Sequence, residues 1–102
     1  MASLPQTGVL LALDPGAKRV GVAVCDALQV VARQLSTLPG GKLGPLLDAL
    51  ALLVEEHAVQ GVLVGYPLLE SGARGTQAQR AETLVHQLRQ RWPDLPIQLW
   101  DE

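Results

Sequence analysis

The sequence predicts an α/β domain: a mixed five-stranded sheet in the order 3-2-1-4-5, strand 2 antiparallel to the others, with helices packed on its faces. Three observations lead there. Two short runs rich in Val and Leu, residues 9–13 and 20–25, are separated only by Asp14-Pro15-Gly16-Ala17-Lys18-Arg19, so they read as strands joined by a tight turn. Further on, two stretches of helical periodicity each lead into an apolar run too short to be a helix, which is the pattern of a parallel crossover. With 102 residues, 48% of them hydrophobic, the chain suits a single core.

In the hairpin, Pro15 supplies a fixed φ and Gly16 a permissive one for the reversal, while Gly21 leaves room for close backbone approach where the second strand begins. Residues 1–7 form a polar leader expected to fray. Residues 30–38 carry Val30, Val31, Leu35 and Leu38 between polar positions and form the third strand. Pro39-Gly40-Gly41 breaks the chain, and Leu43, Leu46, Leu47, Leu50, Leu53, Val54 and His57 then fall on one helical stripe. Pro45 fits the first turn of that helix, and Asp48 is near enough to its start to be favoured by the dipole.

Residues 59–64 form the fourth strand, followed by a loop over residues 66–75. Thr76 and Gln79 are spaced as a capping box opening the second helix, with Ala81, Leu84, Val85, Leu88 and Trp92 as its apolar stripe. Pro93 and Pro96 end it, and residues 97–100 form the last strand before Asp101 and Glu102. In this sheet the C-terminal ends of strands 1, 4 and 5 share one edge, bringing together Asp14, the loop from Gly65 to Gly75 and Asp101-Glu102. Open α/β sheets place their ligands at that edge.

A net charge of −2 and a pI near 5.6 deny the chain the overall basic character of many nucleic-acid binders, so such contacts fall to local clusters: Lys18 with Arg19, Arg74 with Arg80, Arg89 with Arg91. One cysteine makes no internal disulfide, and Cys25 reads as a small buried hydrophobe. No basic segment with a long apolar stretch opens the chain, and no run approaches the ~20 residues of a membrane span, so a soluble, cytoplasmic protein is expected. His57 and His86 fall on helices away from the edge. Trp92 and Trp100 are assigned to the core, leaving Tyr66 as the aromatic free to stack on a base.

An isolated Asp-Pro-Gly most often caps its own turn. Here the whole stretch carries a pattern: Leu11, Leu13, Asp14, Gly16, Lys18, Arg19, Gly21, Val22, Ala23, Val24 and Asp26 spell L-x-L-D-x-G-x-K-R-x-G-V-A-V-x-D. This resembles the opening of the YqgF family, also called RuvX, nucleases on a ribonuclease-H-like fold. Gly65, Pro67 and Gly72 of the loop, and Asp101-Glu102, follow in the family's order. The resemblance implies Mg²⁺ or Mn²⁺ held by Asp14, Asp101 and Glu102, with Asp14 and Glu102 catalytic. It implies phosphate contacts from Lys18, Arg19, Arg74 and Arg80, and as substrate an rRNA precursor or a four-way DNA junction.

The family's pattern continues past Asp-Glu into a segment with a third acidic residue, so residues 1–102 are expected to form one ribonuclease-H-like domain lacking that segment. Two carboxylates alone bind a metal pair weakly. The bare edge around Leu99 and Trp100 would favour lower stability or a homodimer. Two rival readings remain: a non-catalytic nucleic-acid-binding module on the same fold, and a fragment of the actin-like sugar kinases, which also place D-x-G at the tip of this hairpin but need a far longer chain.

Overall fold

Apolar alternation along the strands sets the architecture, because residues paired across a sheet share a face. The computed structural model describes residues 4–5, 7–16, 18–26, 28, 32–35, 37–66 and 75–101, residues 77 and 101 by backbone alone. The expected hairpin is β1 (Leu10–Pro15) with β2 (Arg19–Cys25). Short strands β3 (Ala32–Gln34) and β4 (Leu38–Pro39) follow, then α1 (Leu43–Glu56), β5 (Gly61–Tyr66), α2 (Thr76–Arg91) and β6 (Ile97–Asp101). The sheet runs β3-β2-β1-β5-β6, with β4 also on β2. β2 is antiparallel to β1, while β1, β5 and β6 are parallel, so the order expected from the sequence is the one found.

The third strand differs from expectation in being two pieces. Ala23 pairs with Gln34, and Val20 pairs with Leu38. Three steps along β2 from Val20 to Ala23 are thus matched by four steps from Gln34 to Leu38, the surplus residue of a β-bulge. The bulge changes the phase of alternation. Gln34 stays on the face of Ala23, while Leu38, four positions on, crosses to the packed face opposite Val20. Val30 and Val31 lie outside the described residues.

The packed face is built from Leu11 and Leu13 of β1, Val20, Val22 and Val24 of β2, Val62 and Val64 of β5 and Ile97 of β6, all buried. α2 lies across β1, β5 and β6 and adds Ala81, Leu84, Val85 and Leu88; α1 adds Leu46 and Leu50. Both described helices cover the same face. The two crossovers, β4 to β5 and β5 to β6, step the same way across the sheet, and crossovers of one hand then fall on one side. The other face carries Ala12 and Asp14 exposed and Ala23, Cys25 and Leu63 half-buried. Its far end is covered by the N-terminal segment: a Cβ on Gly61 would stand 2.9 Å from Leu4 Cδ2 and 3.0 Å from Leu10 Cδ2. Leu4 and Pro5 therefore pack, where a fraying leader was expected.

Three local expectations are corrected. Asp48 lies beyond the first turn of α1, which holds no acidic residue, and instead meets Arg91 across the surface at 3.5 Å. Both side chains are exposed, and such a pair stabilises little. The N-cap of α2 is Gly75, not Thr76, with no side-chain cap bond; Thr76 is already helical, so its hydroxyl cannot take the cap position. Cys25 is half-buried, not buried, and is in no disulfide. The end of α2 is tied to the last strand by Arg89, whose Nη2 donates to the Ile97 carbonyl at 2.9 Å.

Candidate active site

Asp14 is the penultimate residue of the central strand, and its alternation with the buried Leu13 and Pro15 puts it on the face that the described helices leave open. It is exposed and paired in register with Gly21. Its carboxylate makes no hydrogen bond or ion pair with any described residue, leaving an acceptor-only group free to meet a cation or a donor. A Cβ on Gly21 would lie 3.5 Å from the Asp14 Cβ, an ordinary contact. Gly21 is therefore not demanded by the backbone, and its lack of a side chain keeps the flank of Asp14 open.

The turn that presents Asp14 is held at two points. Gly16 N–H donates to the Arg19 carbonyl at 2.9 Å, and a Cβ on Gly16 would come within 2.9 Å of that same oxygen. Gly40 N–H donates to the Lys18 carbonyl at 2.9 Å, fastening the tip to the chain that leads into α1. Lys18 and Arg19 are exposed, and neither forms an ion pair with Asp14. Arg19 alternates with the buried Val20 and so shares the open face with Asp14.

Level with Asp14, Gly65 on β5 pairs with Trp100 on β6. Together with Ala12, Gly21 and Ala23 these residues line a trough of about 490 Å³ on the open face. Its floor combines the small residues with Leu63, which pairs with Ala12. At its edge stands Trp100, 60% exposed, where the sequence suggested a core position. Tyr66, expected to be exposed, is half-buried against the core instead. The two aromatics exchange roles because Tyr66 is in register with the helix-covered positions and Trp100 with Gly65 on the open face. One signal was available: Gln98 shares the phase of Trp100, whereas Ile97 and Leu99 share the other.

Asp101 pairs with Tyr66, a register position of the helix-covered set, so its backbone stands in the opposite phase to Trp100. Glu102, Arg74, Pro67 and Gly72 lie outside the described residues. Arg80 is half-buried and lines a second cavity, of about 380 Å³, with Gly16, Gly40, Gly41, Thr76 and Gln79. That cavity lies behind the hairpin turn on the helix side, so Arg80 and Asp14 flank the same turn from opposite faces. Among the described residues, no group of three or more His, Cys, Asp or Glu is arranged to hold a metal ion. His57 at the end of α1 and His86, whose ring meets Gln90 at 3.2 Å, are remote from Asp14. No described helix is long and apolar enough to cross a membrane.

Comparison with known proteins bears on this geometry. A Thermobifida fusca protein named "Putative pre-16S rRNA nuclease" is 42% identical over 97 residues, covering 95% of this chain and 60% of that protein. A Phocaeicola vulgatus protein of the same name is 38% identical over 93 residues, covering 91% of this chain and 65% of that protein. The chain therefore spans a little under two thirds of the length of these relatives. Among solved structures, Thermus thermophilus RuvC in complex with Holliday junction substrate superposes with a TM-score of 0.62 at 16% identity, covering 92% of this chain and 64% of that one. At that identity the likeness establishes a shared fold, the ribonuclease-H-like sheet expected from the sequence. The motif around Asp14 and the sheet order thus agree with the family model that matches residues 8–102, described as RuvX, Holliday junction resolvase, and the chain belongs to the RuvX family.

Proposed function

We propose that this chain carries the reacting edge of a divalent-metal-dependent nuclease that hydrolyses phosphodiesters in structured nucleic acid. The observation that supports this most is Asp14: an exposed carboxylate with no partner among the described residues, at the C-terminal end of the central strand and beside a glycine that leaves its flank open. Carboxylate oxygens suit hard divalent ions, and Mg²⁺ or Mn²⁺ would be held by Asp14 with Glu102; Asp101, in the opposite phase of its strand, is the weaker candidate of the pair at the end of β6. When bound, such ions supply a more nucleophilic water and stabilise the oxygens on which charge develops. Lys18 and Arg19 meet the phosphates on either side of the reacting one, with Arg74 and Arg80 as further phosphate contacts.

The names of the relatives and of the family point to two substrates, a 16S rRNA precursor and a four-way DNA junction. Both present branched or terminal shapes to a protein that has no evident reader of base edges. A second reading is supported by a specific observation: with Asp14 the one described acid lining the trough, the chain suits a nucleic-acid-binding module that does no chemistry. The outer edge of β6, unpaired among the described residues, also suits association into a homodimer, which sedimentation measures directly. The deciding experiment incubates the chain with Mg²⁺ or Mn²⁺ and each substrate, alongside Asp14→Asn. Cleavage by the native chain that is lost in the variant supports the nuclease; binding without cleavage supports the module; cleavage retained in the variant removes Asp14 from the site.

A further inference from the structure

We propose that the cavity behind the hairpin turn takes the terminal phosphate of a nucleic-acid strand, with Arg80 as its counter-charge, so that the substrate offers a phosphorylated end near the reacting phosphodiester. The proposal rests on the nucleic-acid reading above and adds to it a class of substrate. The cavity, of about 380 Å³, is bounded by interior elements: the turn at Pro15 and Gly16, the link at Gly40 and Gly41, and the N-terminal half of α2. Its floor is apolar, the buried Val20, Leu46 and Leu84. Arg80 is the only charged residue among the described lining residues; it is half-buried and makes no hydrogen bond or ion pair with any described residue. A guanidinium drawn partly out of water with no acid opposite it is costly until an anion arrives.

The neutral donors around Arg80 suit the same ligand. Thr76, Gln79, Arg80 and Thr83 recur at helical spacing on one face of α2 and all line the cavity, so hydroxyl and amide groups can donate beside the guanidinium. The opposite wall is backbone. Gly40 N–H is already bonded to the Lys18 carbonyl, and a Cβ on Gly41 would meet nothing within 4 Å, so no side chain from the link fills the space. A terminal phosphate has more free oxygens and more charge to offer these donors than a diester has. Shape points the same way, because a diester continues into sugar on both sides and needs a groove open at two ends, whereas a strand end can enter a cavity with a floor. Asp14 lies on the far face of the same turn, so a strand reaching both sites crosses the hairpin tip, where Lys18 and Arg19 are exposed to meet the phosphates between. Such a strand ends close to the bond that reacts, as a precursor trimmed near its terminus does and the centre of a long-armed four-way junction does not.

The test uses Asp14→Asn, to prevent cleavage, and single-stranded oligonucleotides of one sequence carrying a phosphate at the 5′ end, at the 3′ end or at neither. One phosphorylated form should bind about ten- to a hundred-fold more tightly than the unphosphorylated one, the range of a charge-assisted contact. Adding Arg80→Ala should make the two affinities equal. Arg80→Lys, which keeps the charge and loses the planar fork, and Thr83→Val, which removes one hydroxyl at constant shape, should each reduce the preference in part at an unchanged thermal midpoint, so the test stands even where Arg80→Ala melts early. Inorganic phosphate should weaken the phosphorylated form only as far as the affinity of the unphosphorylated one, since it fills the cavity and nothing else. Equal affinity for all the oligonucleotides overturns the proposal and leaves the nucleic-acid reading intact. Stabilisation by inorganic phosphate that needs Arg80, with no preference among the oligonucleotides, makes this a free-anion site and also overturns it. A preference that survives in all three variants puts the phosphate elsewhere and overturns it likewise. Absence of any binding to any oligonucleotide at low salt defeats the functional reading itself.

Discussion

Replacing Gly21 by alanine separates the space the fold needs from the space the site needs. Gly21 has no positive φ, and the added Cβ would find Asp14 Cβ at 3.5 Å and the Asp14 carbonyl oxygen at 3.9 Å, both ordinary contacts. Nothing has to move. Loss of glycine's freedom in the unfolded chain then stabilises the protein by about 0.4–1 kcal/mol. For a domain of this size that raises the thermal midpoint by roughly 2–8 °C. The methyl group, however, occupies the open flank of the carboxylate, where a bound ion and its remaining waters must fit. Gly21→Ala is therefore expected to melt at or above the native temperature while losing metal-dependent cleavage, or metal binding measured by calorimetry, to a large degree. Gly16→Ala is the contrasting control, since its Cβ would press to 2.9 Å from the Arg19 carbonyl oxygen and the turn must give way. It should lose about 1–3 kcal/mol of stability, as strained backbone does. A Gly21→Ala chain that melts lower than the native protein, or that keeps full activity and metal affinity, would refute the reasoning.

Other outcomes follow from the same geometry. Asp14→Asn should change stability by no more than about 0.5 kcal/mol by thermal melting, because the exposed carboxylate has no described partner to lose. Joint replacement of Lys18 and Arg19 by alanine should weaken nucleic-acid binding alike for all sequences and lower the slope of log affinity against log salt by about one for each phosphate no longer neutralised. The hairpin itself should persist, since Gly40 bonds the backbone of Lys18 and not its side chain. Leu50→Ala, at 1% exposure, should cost about 2–5 kcal/mol in denaturant titration. Leu52→Ala, on the same helix at 69% exposure, should lie within about 0.5 kcal/mol of the native value.

Much of this protein was legible in its order of residues. Two runs of β-branched and aliphatic residues around Asp-Pro-Gly make a hairpin whatever surrounds them, and two helix-then-strand units with right-handed connections leave one sheet order open. That order puts Asp14 at the C-terminal edge of the central strand, and the residues around it carry the family pattern. Period-two alternation names two faces of a strand but not which face is covered, and here both faces are largely apolar: Leu11, Leu13, Val22 and Val24 on one, Ala12, Ala23, Cys25 and Leu63 on the other. Which set is buried was decided by the direction in which the two crossovers step, a property of the assembled sheet. From that choice follow the exposure of Asp14, the exchange of roles between Tyr66 and Trp100, and the position of Arg80 behind the turn and not beside the acid. The bulge between Gln34 and Leu38 was hidden for a related reason: one surplus residue shifts the phase of a strand, and only the register against β2 reveals it.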